Sequence, residues 1–189
     1  VSSRATGPAR LVLAVATGLL TTACNDAEPT PATGPAHALT EPGSRLAFGE
    51  AATVARSGDE GRLRIAVKGI EKGEAADLRE LDLPGLAGKV PYYVRLTVEY
   101  VSGGQPGSVR LVDYLSASAG GPALDHLTIL ADYPSCPPVA FGPKVSVGTR
   151  IDTCMTFVAP AGEPAPDRVV FDNDDTYETT ENTQLTWAQ

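Results

Sequence analysis

The chain has 189 residues and a formal charge of −8, with 15 Lys and Arg against 23 Asp and Glu. That length suits one main domain. No basic cluster is present, which argues against nucleic acid and anionic lipid headgroups as partners, because both are held by grouped Lys and Arg.

In chain order, the first feature is a leader. Residues 1–23 contain Arg4 and Arg10 and no acid, and the apolar run LVLAVATGLL, Leu11 to Leu20, follows the basic end. A helix needs about 20 apolar residues to span a bilayer, so a run this short reads as a secretory signal. Small residues, Thr21-Thr22-Ala23, lead directly to Cys24. This stretch resembles the lipobox of bacterial lipoproteins, with Thr21 where that pattern usually has Leu and Leu20 one step earlier. The resemblance implies that Cys24 carries a diacylglycerol and becomes the new N-terminus. Two acyl chains suffice for stable anchoring, at about 0.8 kcal/mol per buried methylene. The expected location is then the extracytoplasmic face of the cell membrane. The alternative is a cleaved, freely secreted chain in which Cys24 has no role. Removing residues 1–23 takes away two arginines, so the charge falls from −8 to about −10.

Residues 25–44, NDAEPTPATGPAHALTEPGS, are rich in proline and poor in large apolar side chains. With Cys24 they read as a disordered tether over 24–44, reaching about 60 Å at roughly 3 Å per residue. His37 lies in this tether and is expected to be solvated.

From residue 45 to 189 the pattern is that of strands. In VPYYVRLTVEYV, Val94, Leu96, Val98 and Tyr100 point one way, and Tyr93, Arg95, Thr97 and Glu99 point the other. That is period two with one wet face. RLRIAV repeats it with Leu63, Ile65 and Val67. Ser108 to Leu115 and HLTILADY are further candidates. KVSVGTRIDTCMTFVAP reads as two short strands, the second with Ile151, Met155 and Phe157 on one face. DRVVF, Asp167 to Phe171, and a last strand with Leu185 and Trp187 complete the set. Gly and Pro punctuate the runs as turn signals. Glu71 to Leu81 is the one window for a short helix, weakened by Gly73. The expected fold is all-β, an antiparallel β-sandwich of about seven or eight strands.

Once Cys24 is set aside, Cys136 and Cys154 remain, and two cysteines in an exported chain imply a disulfide. Closing a loop of that size contributes roughly 3 kcal/mol. No C-x-x-C or four-ligand set suggests a metal or a redox centre. Catalytic spacings are lacking too: there is no G-x-S-x-G, H-E-x-x-H or phosphate-cradling glycine loop. His126 is the only histidine of the domain proper, and Asp125 beside it on a strand faces away, so a surface role is expected for it. The acidic tail offers Asp172, Asp174 and Asp175 as Ca²⁺ candidates, although EF-hand spacing fails and a solvated loop is the favoured reading. The tyrosines, Tyr93 on the wet face above all, could line a binding surface or pack.

LAFGEAATVA, YYVRLTVEYVSGG and GTRIDTCMTFVAPAGEPAPDRVVF resemble the immunoglobulin-like sandwich of unknown function found in many actinobacterial lipoproteins. The resemblance covers about residues 45–171. Tyr100-Val101-Ser102-Gly103 stands where members of that family often have Asn. The resemblance brings no catalytic site and no cofactor. The functional expectation is a non-catalytic, lipid-anchored interaction module that meets an envelope protein or the cell wall. The alternative is a lipoprotein that binds a small ligand or Ca²⁺.

Overall fold

The computed structural model describes residues 38–56, 61–79, 81–104, 111–129, 133–173, 176–178 and 182–189. Cys24, with the leader and most of the tether, lies outside the described residues. Nine strands and one short helix are present among them: β1 (Arg45–Ala47), β2 (Ala51–Ala55), β3 (Gly61–Lys72), α1 (Ala75–Arg79), β4 (Lys89–Gly103), β5 (Leu115–Ser118), β6 (Asp125–Leu127), β7 (Arg150–Pro160), β8 (Arg168–Phe171) and β9 (Leu185–Ala188). They form two sheets, one of order β1-β9-β8-β5 and one of order β2-β3-β4-β7-β6. The expected β-sandwich is therefore the observed fold. It is not wholly antiparallel, because β1 runs parallel to β9, with Leu46 opposite Trp187.

The core follows from the alternation. Val94, Leu96 and Val98 are fully buried on β4, and Leu63, Ile65 and Val67 of β3 sit beside them. The four-stranded sheet answers with Val169, Phe171, Leu185 and Trp187, all buried in the same cluster. Trp187 resolves its one polar atom by donating Nε1–H to the Glu50 carbonyl at 3.0 Å. β3 carries a register shift between Val67 and Gly69, so that Ile70 faces Val94. The extra residue, Lys68, turns outward and Ile70 stays with the core, a bulge that strict period two does not foresee.

Other expectations are corrected. Leu111–Asp113 is a 3₁₀ turn, and the strand starts only at Leu115. Ser108 to Arg110 lie outside the described residues. Lys144–Val147 is no strand: Gly148, at φ +87°, turns the chain there, and its N–H donates to the Tyr100 carbonyl at 2.8 Å. The helix occupies only the centre of its window, because Glu71 and Lys72 still pair with Tyr93 and Tyr92 as part of β3. The end of the stretch read as tether belongs to the sandwich. The Thr40 N–H donates to the Thr53 carbonyl at 2.8 Å, and the Tyr177 hydroxyl donates to the Thr40 carbonyl at 2.8 Å.

Candidate functional site

The site grows out of a short edge strand. β6 pairs with β7 only at Asp125–Val158, His126–Phe157 and Leu127–Thr156. Beyond that, toward Ile151, a different segment runs beside β7, residues 136–141, CPPVAF. Pro137 and Pro138 have no N–H to donate, so this segment cannot continue the ladder. Two other ties hold it. Cys136 is disulfide-bonded to Cys154 of β7, with 5.2 Å between their Cα atoms, as the cysteine count implied. The Val139 N–H donates to the Thr153 hydroxyl at 3.0 Å.

Between the end of β6 and this segment a pocket of ≈ 330 Å³ remains, with Leu127, Ile129, Val139, Phe141, Ile151 and Met155 among its walls. Its size falls in the range of small-molecule sites, about 300–1,000 Å³. Among the described lining residues His126 alone is titratable, and there is no Asp, Glu, Lys or Arg. His126 stands with its ring edge-on to Phe157, centroids 5.4 Å apart. Its Nδ1 lies 3.4 Å from the Thr128 hydroxyl. Burial pushes its pKa below the ordinary histidine value, and the Asp113 carboxylate partly opposes that. That shift favours the uncharged imidazole at neutral pH. Asp125 does not orient it, because its carboxylate accepts from Lys89 Nζ at 2.9 Å.

The wet-face reading of Tyr93 is overturned. The residue is 4% exposed, because Tyr133, Cys136 and Leu81 close over that end of the sheet. Its hydroxyl donates to Asp77 Oδ2 at 2.8 Å and lies 2.7 Å from the Tyr133 hydroxyl. Tyr93 has a single O–H proton, so Tyr133 donates to it. Burial, then these two hydrogen bonds, raise the Tyr93 pKa far above the ordinary tyrosine value. Tyr92, Tyr100, Tyr133 and Tyr177 are buried as well, so these tyrosines pack and line no open surface. Arg95, Thr97 and Glu99 remain on the wet face, where Arg150 pairs with Glu99 at 2.8 Å and Arg95 with Glu71 at 2.9 Å.

Of the Ca²⁺ candidates, Asp172 follows β8 and its N–H donates to the Tyr114 carbonyl at 2.9 Å. Asp174 and Asp175 lie outside the described residues. No group of three His, Cys, Asp or Glu placed to hold a metal occurs among the described residues. Sequence reasoning did not find the pocket. The signal for it was Cys136-Pro137-Pro138, a cystine followed by two residues unable to join a ladder.

Fold and site together define a two-sheet β-sandwich with an apolar pocket at one sheet edge. Comparison with solved structures agrees on the fold: the chain is similar to a secreted protein from Mycobacterium tuberculosis, MPT63, with a TM-score of 0.50 and 17% identity over 77% of this chain and 97% of that one. A scan against protein-family models and a search of curated proteins both returned no match.

Proposed function

We propose that this chain is a lipid-anchored, extracytoplasmic β-sandwich that acts by binding a small ligand, not by catalysis. The pocket carries the reading: it is ligand-sized and walled by a segment fixed covalently to β7. Two observations support the location. A disulfide persists in oxidising compartments, and the similar MPT63 structure is described as that of a secreted protein. The leader and Cys24 supply the anchor. No helix among the described residues is long and apolar enough to cross a membrane. The non-catalytic reading draws support from His126, whose neighbouring carboxylate is engaged by Lys89, and from a pocket whose described walls hold no carboxylate pair for acid–base work.

A second reading, contact with an envelope protein or the cell wall, is favoured by Val139 and Val147, which are 44% and 64% exposed. Crosslinking on intact cells, followed by capture of the tagged chain and its Cys24→Ala version, separates the two. Anchored small-ligand binding predicts no neighbour enriched in proportion to the chain. A specific neighbour, lost without the anchor and captured less by Val139→Ser, would make protein contact the function.

A further inference from the structure

The pocket at the β6–β7 edge also indicates its ligand's chemistry. We propose that it takes an uncharged, mainly apolar molecule, about twice the size of benzene or somewhat larger. This rests on the reading of the pocket as a binding site. Three observations carry it.

The first is charge. Among the described lining residues there is no Asp, Glu, Lys or Arg. A charged ligand would leave water for described walls that hold no Asp, Glu, Lys or Arg to offset the loss. Ion pairs of this sheet, Lys89 with Asp125 and Lys68 with Asp152 among them, involve none of the described lining residues.

The second is polarity. Thr153 already accepts from the Val139 N–H, and Thr156 is 3% exposed on β7. His126 is the side chain best suited to meet one ligand polar group, and as a neutral imidazole it can accept or donate. A single such contact orients an apolar body without demanding charge.

The third is size. A dry apolar cavity of about 150 Å³ is enough to hold benzene, and this pocket is ≈ 330 Å³. Its walls offer aliphatic and aromatic contact in Leu127, Ile129, Phe141, Ile151 and Met155.

The test uses a matched pair of fluorescent probes on the full chain carrying Cys24→Ala, in detergent-free buffer. N-phenylnaphthylamine is uncharged. Anilinonaphthalene sulfonate has nearly the same skeleton with a fixed negative charge. The expected result is that the uncharged probe binds at least about ten-fold more tightly than the sulfonate. Its binding should fall about ten-fold or more in Ala140→Trp, which places an indole at the pocket's exposed wall. Val139→Trp serves as a second filling variant, and thermal unfolding confirms that each variant folds. Equal binding of both probes, lost in both filling variants, would overturn the ligand class and leave the pocket a binding site. No binding, or binding unchanged by either variant, would overturn the site itself. A change in oligomeric state in the filling variants, without a change in probe binding, would make a second copy of the chain the occupant and refute the proposal.

Discussion

At the scale of single residues, the hydroxyl of Tyr93 shows how position and partner decide a side chain's fate. It lies on the strand face that alternation assigns to water, yet it links Tyr133 to Asp77 in a buried chain of hydrogen bonds. Asp77 Oδ2 also accepts the Glu74 N–H at 3.0 Å, so one carboxylate caps α1 and anchors Tyr93. Tyr93→Phe should therefore destabilise the domain by about 1–3 kcal/mol in denaturant titration, since it removes both hydrogen bonds of that hydroxyl. The same hydroxyl gives a pH signature. Its pKa is raised in the fold, so its contribution is complete below the unfolded tyrosine value, near pH 10, and is lost as pH rises beyond it. The phenylalanine variant should lose that part of the alkaline slope. Gly73 makes the contact possible: a Cβ there would fall 2.5 Å from Tyr93 Cε2 and 2.8 Å from Asp77 Oδ2. A sequence shows Gly73 only as a poor helix former. Its packing role depends on a residue twenty positions away. His126 gives the acid counterpart. Its pKa is lowered by burial, so the unfolded chain takes up the proton first. Stability should decline as pH falls from about 6.5 toward the lower folded value, and His126→Leu should remove that decline in pH-dependent thermal melts. Asp113, which favours the charged ring, makes the decline smaller than burial alone would give.

At the scale of elements, β7 is where one sheet's edge becomes a site. Its partner β6 stops at Leu127, and the cystine-bound segment takes over. The double substitution of Cys136 and Cys154 by Ser should lower stability by about 3 kcal/mol, a fall of about 6–12 °C in melting temperature. It should also weaken probe binding in the pocket, because the segment then keeps only noncovalent ties, the Val139 N–H to Thr153 bond and the buried Phe141 among them. Unchanged probe affinity in a folded double variant would show that the cystine does not shape the pocket. Long alternating elements were legible: β4 and β7 have their buried faces where Val94, Leu96, Met155 and Phe157 indicated. Short ones were less so. Leu111 lies in a 3₁₀ turn because that strand begins four residues later, and Lys144–Val147 passes as a loop because Gly148 turns back onto Tyr100. The bulge at Lys68 and the parallel pairing of β1 with β9 were not legible, since both are set by partners distant in sequence.

At the scale of the whole molecule, the alternation and the turn residues both pointed to the sandwich, and that consistency made its class readable. The pocket escaped because it is a property of what does not pair. Cys136-Pro137-Pro138 marks where pairing along β7 must stop, but not that a cavity opens there. The proposed lipid anchor belongs to this scale as well. Intact mass of the chain from a membrane fraction should exceed that of residues 24–189 by a lipid, and Cys24→Ala should move the chain to the soluble fraction. Equal partitioning of the two would remove the anchor from the account. The claim on which the rest depends is that the pocket is occupied in the cell. The direct measurement is mass spectrometry of an organic extract from the chain purified out of its native membrane, with Ala140→Trp purified alongside. The account predicts an uncharged, mainly apolar molecule at about one per chain, absent from the variant. Extracts that are the same for both chains would contradict it.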